Sequence, residues 1–174
     1  MSTKNVEIVR RANAAFNRRD RDAAFADFHP DVEWRDLQHA ADAPECVHGR
    51  SALLAIWDGW EEVFDDFTAE VEEYIDAGES VVTVTRWRAT GKGSGLAIDL
   101  HTAEVYEFAD GRIFRATVGY AGRAAALKPV GLAGWCLRRR PPRRQAGPRS
   151  LLLLCQGKAV ERIVAATIVQ GYSG

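Results

Sequence analysis

Apolar positions recur at helical spacing through the first 64 residues, and from residue 67 onward they alternate. Val6, Val9, Asn13 and Phe16 fall at i, i+3, i+7 and i+10 and form one stripe, with Ser2 or Thr3 placed to cap the helix that carries it. A short helix is predicted after Asp20, turning Ala23, Ala24 and Phe28 inward. His29-Pro30-Asp31 stops it, because the residue before a proline is pushed out of the helical region. A strand then runs through HPDVEWRDLQHA, residues 29–40. A third helix begins near Gly49-Arg50-Ser51, with the stripe Leu53, Trp57, Trp60 and Phe64. Four strands follow at Phe67–Asp76, Ser80–Thr90, Leu96–Phe108 and Arg112–Tyr120. Their connections are Ala77-Gly78-Glu79, Gly91-Lys92-Gly93-Ser94-Gly95 and Asp110-Gly111, the last a strong hairpin signal.

Helices first and a meander of long strands afterwards predict an α+β fold, with the helices on one face of a curved antiparallel sheet. Strands of about 10 residues run roughly 33 Å, long enough to curl around the helices and leave a pocket between them.

Charge divides the chain. Residues 133–174 hold eight Lys/Arg and one Glu, whereas the first 132 residues hold 15 Lys/Arg and 23 Asp/Glu. The domain is therefore placed at 1–132, with a basic tail at 133–174. The stretch GWCLRRRPPRRQAGPRS neither packs nor continues a meander. Three readings of the tail stand open: a basic arm for nucleic acid, a swapped or dimer-contacting segment, and read-through sequence without a selected role. The last is preferred, since a chain ending near Leu132 reads as complete, and the basic arm lacks aromatic interleaving, which makes its arginine run a weak nucleic-acid signal. No apolar run reaches the roughly 18–20 residues that span a bilayer. The N-terminus MSTKNVEIVRRANAAF carries charges where a signal peptide has its apolar core, so export is not expected. Cys46, Cys136 and Cys155 match no CxxC or Cys/His spacing and read as reduced thiols of a cytoplasmic protein. His29, His39, His48 and His101 offer no three-ligand spacing, and no metal is expected.

Two acids sit among apolar neighbours. In the first strand Val32, Trp34 and Asp36 share a face. Asp36 either marks where that strand leaves the core or is a carboxylate set into an apolar space for chemistry. Along Leu96–Phe108, Glu104 belongs to the row Leu96, Ile98, Leu100, Thr102, Tyr106 and Phe108. Two carboxyls directed at one cavity are how a fold separates an acid from a base. Arg86 and Arg88 share one face of their strand with Val82 and Val84; the opposite face carries Val81, Thr83, Thr85 and Trp87. If the arginine face looks inward, an ion pair replaces the catalytic reading. Asn13 can hydrogen-bond a ligand or serve as a buried structural amide. Trp34, Trp57 and Trp60 form a flat apolar wall or plain core, and Tyr120 lines the pocket mouth or packs.

The segments EIVRRANAAFNRRDRDAAFADFHPDVEW, VHGRSAL, AGESVVTVTRWRATGKGSG and AEVYEFADGRIFRATVGYAGRAAALKPVGL, in this order, resemble the SnoaL-like polyketide-cyclase group. That group lies in the nuclear-transport-factor-2-like superfamily, with ketosteroid isomerase and scytalone dehydratase. The resemblance covers roughly residues 4–132. It implies a cone-shaped α+β barrel, a homodimer, and a general-base aspartate at Asp36. Glu104 falls where ketosteroid isomerase has its protonated, oxyanion-binding aspartate. The position of that enzyme's oxyanion tyrosine is Ala12 here, so steroid isomerisation is not implied. The resulting expectation is a cofactor-free isomerase, cyclase or dehydratase acting on a small apolar carbonyl compound, with Asp36 as base and Glu104 as neutral acid. The alternative is a non-catalytic binding or dimerising module.

Overall fold

The computed structural model describes residues 3–38 and 44–132. Expectations for His39, Cys136, Cys155 and the tail 133–174 lie outside these residues. The elements in chain order are α1 (Thr3–Asn17), α2 (Arg21–Ala24), β1 (Phe28–Asp36), β2 (Cys46–His48), α3 (Arg50–Val63), β3 (Phe64–Asp76), β4 (Ser80–Gly91), β5 (Ala97–Ala109), β6 (Arg112–Tyr120) and α4 (Arg123–Leu127).

The six strands form one curved, unclosed sheet in the order β2-β1-β6-β5-β4-β3. Neighbours run antiparallel except β1 and β6, which pair in parallel with Trp34 opposite Ala116 and Asp36 opposite Val118. This parallel pair is the departure from the antiparallel sheet predicted. It arises because the chain leaves β1, passes through α3 and the β3–β5 meander, and returns β6 beside it.

Local chemistry explains the joints. Asp20 caps α2, its carboxylate accepting from Ala23 N at 3.1 Å. The β5–β6 hairpin turns through Asp110 at φ 52° and Gly111 at φ 74°, the two left-handed residues of a type I′ turn. Asn17, at the end of α1, holds β3 with two hydrogen bonds: its Nδ2 donates to Ala69 O at 2.9 Å and its Oδ1 accepts from Ala69 N at 2.8 Å.

The concave face packs against α1 and α3. Phe16 is the hub, its ring meeting Trp57 at 5.1 Å, Phe67 at 5.3 Å, Trp87 at 5.5 Å and Trp60 at 5.6 Å. The three tryptophan contacts are edge-to-face and the Phe67 contact is tilted; edge-to-face pairs at these distances add ~0.5–1.5 kcal/mol each beyond burial. On the convex face, α4 buries Ala126 and Leu127 against Ile75, Val82, Ala103 and Val105. Among the described residues, no helix is long and apolar enough to cross a membrane.

Candidate functional site

Between the helices and the concave face lies a cavity of about 60 Å³. At about 10–15 Å³ per water it has room for roughly four to six water-sized groups. Its walls are apolar: Val9, Phe16, Phe25, Phe28, Trp34 and Trp60 dominate. Polar atoms come from Asn13 on α1, Thr85 and Trp87 on β4, and Tyr106 on β5.

The strand parity left open by the sequence is settled by this lining. β4 turns Thr85 and Trp87 inward, so Arg86 and Arg88 point outward. Arg86 donates to Asp99 at 2.8 and 2.5 Å, and Arg88 pairs with Glu70 at 3.3 Å. No arginine therefore stands on the inner face of β4.

Glu104 is 1% exposed and lies behind Thr85 and Trp87. Its Oε2 accepts from Thr83 Oγ1 and Thr85 Oγ1, each at 2.5 Å. Its Oε1 accepts from Thr102 Oγ1 at 2.6 Å and from Trp87 Nε1 at 3.2 Å. A carboxylate has about four acceptor positions, and all four are used. Three threonine hydroxyls and one indole N–H thus converge on the group that the resemblance makes a neutral acid. Tyr106 joins the same network through Thr83. Burial, reinforced by the nearby Glu104 charge, pushes the Tyr106 hydroxyl far above its usual value of 10, so it faces the cavity as a neutral phenol. Tyr74 borders this cluster, hydrogen-bonded to Asn13, and burial raises its hydroxyl as well.

Asp36 is 7% exposed, on the same strand face as Trp34. Its Oδ1 accepts from Gln38 N at 2.8 Å at the end of β1. It is absent from the cavity wall around Asn13 and Tyr106. Asp36 and Glu104 sit on β1 and β5 with β6 between them, two strand spacings or about 10 Å apart.

Of the remaining sequence candidates, Asn13, Trp34 and Trp60 line the cavity. Trp57, 1% exposed, stands behind the wall against Phe16, Phe25 and Phe67. Tyr120 packs instead with the convex cluster of Ile75, Val82, Ala103 and Val105. The outward placement of Tyr120 has a backbone cause. Where Ala103 pairs with Tyr120 and Val105 with Thr117, β6 carries one extra residue, and Gly119 has φ 84°. That bulge reverses the alternation and swings Tyr120 to the outer face. A Cβ at Gly119 would meet Gln38 Cγ at 3.1 Å and Asp36 Oδ1 at 3.3 Å, so the bulge also needs the missing side chain.

Alternation alone does not mark Thr85, Trp87 and Tyr106 as site residues. Tyr106 was within reach, because it alternates with Glu104 on the inward row; Trp87 required the parity of β4.

The family model for the SnoaL-like domain matches residues 9–116. Among curated proteins none is significantly similar. Several solved structures share the fold. An NTF2-like protein of unknown function from Burkholderia pseudomallei is 23% identical, with TM-score 0.61, covering 75% of this chain and 98% of its own. TerC, co-crystallised with polyporic acid, is 20% identical, with TM-score 0.60, covering 74% and 98%. A protein of ketosteroid isomerase-like fold from Catenulispora acidiphila, in complex with trimethylamine, is 19% identical, with TM-score 0.58, covering 74% and 96%.

Proposed function

This chain belongs to the SnoaL-like domain family, and on that premise we propose that it binds a small, largely apolar molecule whose one polar atom sits against Asn13 and Tyr106. The observation that carries the reading is the cavity's division. Its walls are aromatic and aliphatic, and its few hydrogen-bonding groups are Asn13, Thr85, Trp87 and Tyr106. A neutral phenol and a side-chain amide suit a carbonyl or hydroxyl oxygen, while the rest of the ligand exchanges water for aromatic surface. TerC and the Catenulispora protein, crystallised with polyporic acid and trimethylamine, are relatives of this fold seen with small molecules.

Native mass spectrometry of the full chain tests this. A small molecule bound one per chain, retained by the parent and lost on Asn13→Leu with the fold intact, is the expected result. A parent that carries and takes up no such species from a panel of phenols and cyclic ketones overturns it.

Proton-transfer catalysis on a carbonyl compound is the second reading, and Asp36 favours it: a buried carboxyl on the strand face that also carries Trp34. It ranks second because the ligand must then reach past the cavity wall to the end of β1. Isomerisation of a ketone panel that is abolished by Asp36→Asn supports this reading. The homodimer implied by the resemblance goes with either one and is checked by sedimentation. A reducing, cytoplasmic setting is part of the same reading; among the described residues Cys46 is a free thiol.

A further inference from the structure

We propose that Glu33, Cys46 and His48 form a binding site for a borderline-soft divalent ion, with zinc as the type. The three residues lack any motif spacing and are brought together by strand pairing. Glu33 lies opposite His48 and Arg35 opposite Cys46 in the β1–β2 ladder. Alternation turns Val32, Trp34 and Val47 toward the core, which leaves Glu33, Cys46 and His48 together on the convex side, away from the cavity.

One carboxylate oxygen, the thiol sulfur and a ring nitrogen lie within 4.8 Å of one another. Cys46 Sγ and His48 Nε2 are 3.7 Å apart. Zinc bonds of about 2.3 Å to sulfur and 2.0–2.1 Å to nitrogen, at a tetrahedral angle, place those two atoms about 3.6 Å apart. Sulfur with imidazole selects zinc over magnesium or calcium, and three protein ligands leave one position for water or an outside ligand. On binding, the Cys46 thiol gives up its proton to solvent as the sulfur–metal bond forms, and no electrons are exchanged.

Two arginines surround Glu33, and their arrangement accommodates the ion. Arg115 holds Oε2 at 3.1 Å, where it orients the carboxylate from behind. Arg35 contacts Oε1 at 3.2 Å, the oxygen the ion would take. The Nε of Arg35 is buried without a hydrogen-bond partner and lies 3.9 Å from Glu45. Yielding Oε1 to a metal and closing on Glu45 would satisfy that orphan. Charge also balances. Glu33, Glu45, Glu107 and a Cys46 thiolate face two guanidiniums, a deficit that one divalent ion fills.

The test uses the full chain, stripped with a chelator and titrated with Co²⁺ as a spectroscopic stand-in for zinc. One equivalent is expected to bind with a thiolate-to-cobalt charge-transfer band that one equivalent of Zn²⁺ removes. The band should survive in a Cys136→Ser/Cys155→Ser variant and vanish in Cys46→Ser. His48→Ala should weaken uptake ~10-fold or more. Arg35→Ala should tighten it. Circular dichroism of each metal-free variant should match the parent. A band that persists in Cys46→Ser, uptake indifferent to His48→Ala, or no saturable uptake by the parent overturns the site.

Discussion

Replacing Glu104 by leucine and by glutamine separates the buried network into its donors and its charge. In the parent, Thr83, Thr85, Thr102 and the Trp87 indole all donate to this one carboxylate. Leucine is similar in volume and removes the acceptor. Thr85 can then donate to Thr83, 3.3 Å away, and Thr83 to the Tyr106 oxygen, but Thr102 and Trp87 lose their acceptor. A buried donor without a partner costs about 1–3 kcal/mol, so the two orphans cost ~2–6 kcal/mol. Relief from burying a charge offsets part of this, leaving an expected loss of ~2–4 kcal/mol. Glutamine behaves differently. Its carbonyl can still accept from Trp87 and Thr102, while its NH₂ donates to Thr83 and Thr85 once their hydroxyls rotate. The expected loss is then ~1 kcal/mol. Urea denaturation of the full chain reads both values, and thermal melting should follow at roughly 3–5 °C per kcal/mol for a domain of this size. A leucine variant as stable as the parent refutes the claim that Thr102 and the Trp87 indole depend on this carboxylate as their acceptor. A glutamine variant as damaged as the leucine one refutes the division between its donors and its charge.

Tyr106 ties stability to alkaline pH. Its folded-state hydroxyl is raised, so its contribution is fully present below pH 10 and drains away above it as the unfolded chain ionises first. Between pH 10 and 12 the parent should lose up to ~1.4 kcal/mol per pH unit more than Tyr106→Phe; equal slopes contradict the burial assigned to this phenol. Gly119→Ala forces a left-handed residue against Gln38 and Asp36 and should cost ~1–2 kcal/mol in urea denaturation; a neutral outcome denies that the β6 bulge needs glycine. Asn17→Ala removes both hydrogen bonds to Ala69 and should cost ~1–3 kcal/mol, with the amide of Ala69 exchanging faster; unchanged exchange shows that α1 is held by packing alone.

The elements were legible because period carries them. The strand at Ser80 and the hairpin at Asp110-Gly111 follow from alternation and turn chemistry, and β4–β6 fall within one residue of the expected limits. β2 is only Cys46–His48, too short to show a period, and its cluster with Glu33 is created by pairing across the chain. The placement of Glu104 on an inward row was also legible, since alternation in β5 is unbroken up to that residue. Its role was not: the three threonines and the indole around it come from two strands whose register had to be known. Tyr120 misled for a local reason, because a one-residue bulge at a left-handed glycine reverses every position after it. Trp57 and Trp60 share a helical stripe and both meet Phe16, yet Trp60 lines the cavity and Trp57 is core, a distinction the stripe does not carry.

The most direct measurement is a two-dimensional NMR titration of the full chain with p-cresol and, in parallel, with toluene. If the cavity is the binding site and Asn13 with Tyr106 its polar end, p-cresol should saturate. It should shift the indole N–H signals of Trp34, Trp60 and Trp87 and the side-chain amide of Asn13, and toluene should bind more weakly without moving Asn13. Saturable shifts confined to the convex face, or p-cresol and toluene behaving identically at Asn13, would contradict the account.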